Sequence, residues 1–116
     1  MVEDSRDFVL DFRIPEELTT HEVLAFAKTC ANMCNLYARK NHDYGNSFNK
    51  GMEIIGTAYG IGRLYDKMNR IITLTNLNPF DKPQVRDESI NDTLLDLACY
   101  AIMTYNYLNT DKNGTN

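Results

Sequence analysis

Apolar residues recur at helical spacing along most of this chain and at strand spacing in one short stretch. Phe8, Leu10, Phe12 and Ile14 alternate with Val9, Asp11 and Arg13. That period of two predicts a short strand or extended arm, closed by Pro15. From Val23 the period changes. Val23, Ala27, Cys30, Cys34 and Tyr37, broadened by Leu24, Ala31 and Ala38, mark the stripe of a first helix reaching about Asn41. Thr19-Thr20-His21-Glu22 in front of it matches a capping box, in which a threonine hydroxyl and the glutamate each satisfy an orphan backbone donor. A second helix is expected from near Glu53 to Asn76, burying Ile54, Ala58, Ile61, Tyr65, Met68 and Ile72. A third runs from Asp87 or Ser89 to Leu108, with Ile90, Leu94, Leu97, Ala98 and Ala101 toward the core. Between them, Asn41 to Gly51 is polar and turn-prone and reads as a loop anchored by Phe48, while Pro79 and Pro83 mark a second connection.

This pattern predicts an all-α fold: a helical bundle of three main helices with a short extended N-terminal arm, completed by oligomerisation into a homodimer or homotetramer. The expected divisions are an arm over 1–18, an all-α ligand-binding domain over 19–108 and a flexible tail over 109–116. The middle helix carries Gly56, Gly60 and Gly62, each costing about 1 kcal/mol of helix stability relative to alanine. Their order is neither a dinucleotide nor a P-loop fingerprint, and no strand precedes them. They suit close approach by a neighbouring helix or ligand.

Composition narrows the function classes. With 116 residues, 43% hydrophobic and 24% charged, the chain fits one small domain. No run of about 18 apolar residues predicts a membrane span, and the acidic start Met1-Val2-Glu3-Asp4 is unlike a secretory signal. Three cysteines without CxxC spacing fit a reducing cytoplasm, the host's if the chain is phage-encoded. A net charge of −4 argues against binding bulk nucleic acid but leaves room for a small phosphorylated ligand on a local basic patch.

Such local patches exist. Glu88, Asp92 and Asp96 stand at i, i+4 and i+8 on the last helix, and the same line continues into Cys99 and Met103. A fully solvated face would not turn into cysteine and methionine, so the stripe is expected to be partly buried. Partly buried carboxylates need a counter-charge. A divalent cation is one, and oxygen donors suit Mg2+ or Mn2+ better than zinc. The plainer alternative is a solvated acidic face favoured by the helix dipole. On the middle helix Arg63, Lys67 and Arg70 share one face, suited either to a polyphosphate or to ion pairs with the acidic stripe itself. Between the first two helices, Lys40, Asp43, Tyr44 and Asn46 offer a phosphate contact, a further metal oxygen, a surface for base stacking and a polar contact to phosphate or base edge. The same stretch also reads as an ordinary helix C-terminal turn around Gly45. Neither His21 nor His42 has a partner at metal or catalytic-triad spacing.

Three blocks carry a resemblance: Lys-Asn-His-Asp-Tyr-Gly-Asn-Ser-Phe (40–48), Gly-Arg-Leu-Tyr-Asp-Lys-Met-Asn-Arg-Ile (62–71) and Asp-Glu-Ser-Ile-Asn-Asp-Thr-Leu-Leu-Asp-Leu-Ala-Cys-Tyr-Ala-Ile-Met (87–103). They resemble the phage and bacterial nucleotide modification associated domain family, type one, over roughly residues 20–108. Asp92-Thr-Leu-Leu-Asp96 followed by Tyr100 is also similar to the last metal-binding helix of MazG-like and dimeric dUTPase-like pyrophosphohydrolases. That likeness implies an Mg2+-dependent enzyme converting a (deoxy)nucleoside triphosphate or modified nucleotide to monophosphate and pyrophosphate. Asp92 and Asp96 would be metal ligands with Glu88 as a third, and Glu88 or Asp92 would accept the proton. Arg63, Lys67 and Arg70 would neutralise the phosphates. MazG-like enzymes also place a Glu-x-x-Glu pair on an earlier helix, where this chain has the neutral Asn32 and Asn35. Either Asp43 substitutes for that pair or the domain binds a nucleotide without turnover, as a sequestering or DNA-modification accessory protein.

Overall fold

The computed structural model describes residues 13–76 and 89–110. A single 3-10 turn at Glu16–Leu18 precedes four helices: α1 (His21–Asp43), α2 (Ser47–Ile55), α3 (Thr57–Thr75) and α4 (Ile90–Asn109). The protein is all-α, as the periodicity predicts, and no strand occurs among the described residues. No described helix is long and apolar enough to cross a membrane. The chain divides into two compact units, Met1–Asp43 and Tyr44–Asn116.

In the first unit, most of the expected arm lies outside the described residues. The expected strand over Phe8 to Ile14 falls almost wholly there, and after it Pro15, with φ −54°, leads into the 3-10 helix. The Pro15 carbonyl accepts from Leu18 N–H at 3.0 Å and from the Thr19 hydroxyl at 2.9 Å. Thr19 is thereby committed backwards, and Thr20 caps α1 instead, accepting from Val23 N–H at 3.2 Å. Shifting the cap by one residue leaves Glu22 one position short of the reciprocal site, so the expected capping box is only half formed. α1 itself buries no residue fully. Val23, Ala27 and Cys30 are half-buried, while Cys34 and Tyr37 are exposed, so Cys34 is not the core residue its spacing suggested.

The second unit corrects two boundaries. The expected loop over 41–51 shrinks to Tyr44–Asn46, with Gly45 and Asn46 both left-handed at φ 63° and 60°; glycine and asparagine tolerate that region best. Ser47 onward is already helical, and Phe48 is the expected anchor at 6% exposure, one turn before Met52 at 1%. The expected single helix over 53–76 is two helices. Gly56 adopts φ 97°, ψ −168°, backbone that side chains rarely allow, and it closes α2 and opens α3 at once.

The buried face of α3 is also not the expected one. Ile54, Ile61, Tyr65, Met68 and Ile72 are exposed by 84, 54, 68, 46 and 49%, and Ala58 is exposed too. α3 instead packs along α4 through Gly60, Leu64, Lys67, Ile71 and Leu74. Gly60 decides this. A Cβ there would stand 2.8 Å from the Thr104 hydroxyl, so only glycine lets α4 approach so closely. On α4, Leu94 is 47% exposed and Ala101 is exposed, against expectation, whereas Ile90, Leu97 and Ala98 are half-buried. Thr93 and Thr104 are buried instead. Their hydroxyls donate to the carbonyls of Ser89 at 2.9 Å and Tyr100 at 2.7 Å. With the hydroxyl satisfied inside its own helix, each threonine packs as a small branched apolar group.

Candidate functional site

The α3–α4 seam gathers charge and aromatic surface in one place. The three basic residues of α3 are spaced so that Arg63, Lys67 and Arg70 fall on or beside the face that meets α4, and all three are half-buried. Their aliphatic stems run along the seam, and the Nε atoms of Arg63 and Arg70 are buried there. From α4, Asp96 and Tyr100 stand one turn apart and enter the same seam. Lys67 Nζ lies 3.3 Å from Asp96 Oδ2, with the two side chains 17 and 29% exposed. The acidic and basic stripes therefore meet at this pair. Among the described residues, Asp96 is the one acid that is not exposed.

Tyr100 lies at the centre of the seam. Arg63 Nη2 donates to its hydroxyl at 3.3 Å, and the guanidinium carbon is 5.2 Å from the ring centroid. Lys67 Nζ is 6.0 Å from the same ring. On its other side Tyr100 meets Phe48, with ring centroids 6.0 Å apart, and Phe48 meets Tyr59 at 5.7 Å. The hydrogen bond to Tyr100 raises the Arg63 pKa by more than burial lowers it, so this guanidinium stays charged. The Arg63–Asp66 contact, at 4.0 Å with Asp66 66% exposed, adds little in water.

The remaining expected residues are placed differently. Asp92 is exposed and completes a capping box at the start of α4. Its backbone N–H donates to Ser89 Oγ at 3.1 Å, and the Ser89 N–H donates to Asp92 Oδ2 at 3.4 Å. Glu88 lies outside the described residues. Lys40 is exposed on the last turn of α1, and Asp43, the last residue of α1, is 3.2 Å from His42 Nδ1. Tyr44 is 66% exposed, and Asn46 occupies the N-cap position of α2 without a side-chain cap. No three His, Cys, Asp or Glu among the described residues are grouped to hold a metal. Spacing gave no role to Tyr100 or Tyr59. Tyr100 was findable, because it follows Asp96 by four residues and so shares its face.

The family model described as nucleotide modification associated domain 1 matches residues 40–107, from the last turn of α1 through nearly all of α4. The chain belongs to this family. No curated protein and no solved structure matches it. Within the family match lie Arg63, Lys67, Tyr100 and all four expected metal ligands, Asp43, Glu88, Asp92 and Asp96. The likeness to MazG-like pyrophosphohydrolases rests on the Asp92-to-Tyr100 motif alone.

Proposed function

We propose that this family member binds the phosphates of a (deoxy)nucleoside triphosphate or a modified nucleotide at the α3–α4 seam. With Mg2+ or Mn2+ it would hydrolyse that nucleotide to monophosphate and pyrophosphate. The observation that carries this reading is the convergence of Arg63 and Lys67 on Tyr100 beside Asp96. Cationic donors already fixed in a half-buried seam hold phosphate charge better than mobile surface groups. Arg63 and Arg70 would each supply a planar fork, and Lys67 a point charge, along the phosphate chain. Tyr44, exposed beside the turn, would offer its ring to a base.

The donor set suits a hard cation. Mg2+ commonly takes one or two carboxylates plus substrate phosphates and retains water for the rest. Asp96 and Asp92, one turn apart, supply that number, and Glu88, four residues before Asp92 in the sequence, would be the third. Bound there, the metal would neutralise phosphate charge and activate water for attack. For this to happen Lys67 must leave Asp96 and turn to the phosphates, and Asp92 must leave its cap. Glu88 or Asp92 would then accept the proton.

A second reading is binding without turnover, and a specific observation favours it. Both described carboxylates already have structural partners, Asp96 in Lys67 and Asp92 in Ser89. One experiment separates the two. The purified chain is incubated with a broad panel of ribo- and deoxynucleoside triphosphates with and without Mg2+, and monophosphate and pyrophosphate are measured alongside thermal shift. Mg2+-dependent release of both products supports the enzyme. Stabilisation without products supports the binding protein, and neither signal with any nucleotide removes both.

A further inference from the structure

Along the seam, α3 and α4 meet in matched pairs about one turn apart. Gly60 faces Thr104, Arg63 bonds to Tyr100 and Lys67 bonds to Asp96. The α3 numbers rise as the α4 numbers fall, so the two helices run antiparallel. The two cations of this ladder are neutralised differently. Arg63 meets a neutral phenol and, at 4.0 Å, an Asp66 that is 66% exposed. Lys67 meets a carboxylate where neither side chain is well solvated, at 17 and 29% exposure. Salt and water screen a partly buried pair of this kind much less than a surface pair. Arg63, Lys67 and Asp96 together therefore leave an excess of positive charge in the seam.

A divalent cation and a phosphate group meet this arrangement in opposite ways. A cation approaching Asp96 brings the sign already in excess, and the Lys67 ammonium occupies the oxygen it would use. A phosphate brings the opposite sign and competes with Asp96 for that ammonium, with Arg63 one turn along α3 as a second attachment. Lysine suits such an exchange better than arginine. Its ammonium is a compact charge on a flexible stem, whereas a guanidinium grips a carboxylate through two bonds. We propose, on the strength of the nucleotide reading above, that Lys67 is a phosphate-gated latch on Asp96. Lys67 holds the carboxylate closed to Mg2+ or Mn2+ alone and releases it when a polyphosphate takes the ammonium. Metal and phosphate then bind with positive coupling, and coupling between two ligands is reciprocal. The seam stays unloaded with metal until substrate arrives.

Two measurements on the full chain test the latch, and the first contains no phosphate. Mn2+ binding is followed by equilibrium dialysis from micromolar to millimolar metal. Lys67→Met is expected to bind Mn2+ at least about fivefold more tightly than the wild type. Lys67→Arg, which keeps the charge, is expected to stay as weak as the wild type. Adding Asp96→Asn to Lys67→Met is expected to remove the gain. Lys67→Met binding no more tightly than the wild type overturns the proposal, as does a gain that survives Asp96→Asn. If circular dichroism shows Lys67→Met unfolded, Lys67→Gln is read in its place. The second measurement titrates inorganic tripolyphosphate calorimetrically in EDTA. The wild type is expected to bind it, and Lys67→Met to bind it about tenfold more weakly. Equal binding by the two removes the gate alone and leaves the nucleotide reading standing. A wild type that binds no tripolyphosphate removes that reading and the gate together.

Discussion

The two faces of α3 differ in a way that runs against simple hydrophobic sorting. The inward face carries one buried glycine, three half-buried cations and the leucines and isoleucine between them; the outward face carries Ile61, Tyr65, Met68 and Ile72, all exposed. Apolar content alone would reverse the two. What selects the inward face is closeness of approach. Gly60 allows α4 to come in against Thr104, and Arg63, Lys67 and Arg70 continue the same seam along the helix with their long stems half-buried. A helix packs with the face that fits, and here its most apolar face is left exposed.

The sharpest way to test that contrast is to remove one side chain from each environment. Met52, 1% exposed and the largest fully buried side chain, lies beside Gly60. Met52→Ala should cost about 2–5 kcal/mol in chemical denaturation, the usual range for truncation in a packed core. Ile61→Ala, at a site 54% exposed, should stay within about 0.5 kcal/mol when the chain is dilute. A loss from Ile61→Ala that grows with protein concentration would show the outward face covered in the assembled form. An equally large loss at every concentration would break the contrast.

The glycines give the next test, with opposite signs two residues apart. Gly60→Ala places a methyl 2.8 Å from Thr104 Oγ1 and 3.3 Å from Met52 Sδ. Thr104 is buried and cannot yield cheaply, so the overpacking should outweigh the helix-propensity gain and leave a net loss of about 1–2 kcal/mol. Gly62→Ala meets nothing within 4 Å and should stabilise the single chain by up to about 1 kcal/mol. Thermal melts of both variants measure the difference. Two losses of equal size would mean that the outward face is as tightly packed as the inward one.

Much of this architecture is legible in the chain itself. Helical periodicity marks α1 and α4 and the all-α class, and the isolation of Phe48 in a polar stretch marks it as an anchor. The break at Gly56 was not visible, since a glycine inside a helical pattern is tolerated as often as it ends one. The buried face of α3 differs from the one its spacing suggests because two stripes with the same period run along one helix and periodicity does not rank them; Gly60 facing Thr104 across a second helix decides between them. At the candidate site the charges were legible from i, i+4 spacing. Their pairing across the seam and the role of Tyr100 were not, because both depend on the rotational setting of α3 against α4.

That setting is open to a direct test. If Lys67 and Asp96 form a half-buried pair, Lys67→Met and Asp96→Asn should each lower stability by about 1–2 kcal/mol, less than for a fully buried pair and more than for a surface one. The double variant should lose less than the sum, with a coupling of at least about 0.5 kcal/mol. Asp66→Asn, which removes only the exposed 4.0 Å contact to Arg63, should change little. Additivity between Lys67 and Asp96 would mean that the seam is set differently and that the basic face of α3 is not held against the acidic line of α4.

The smallest effect separates the two roles available to Asp92. Its carboxylate accepts from the Ser89 N–H in the capping box, and the proposed function also makes it a metal ligand. Ser89→Ala removes the hydroxyl that accepts from Asp92 N–H and should cost about 1 kcal/mol. Asp92→Asn keeps an oxygen able to accept from Ser89, so it should cost only a few tenths of a kcal/mol, chiefly the lost charge at the helix start. A metal site is less forgiving, because an amide oxygen carries no charge to set against Mg2+. Asp92→Asn should therefore leave the melting temperature of the free protein nearly unchanged while abolishing any Mg2+-dependent shift with nucleotide. If the variant melts like the wild type and still responds to Mg2+ and nucleotide together, Asp92 is a cap and nothing more, and any metal on this helix must be held by Asp96 without it.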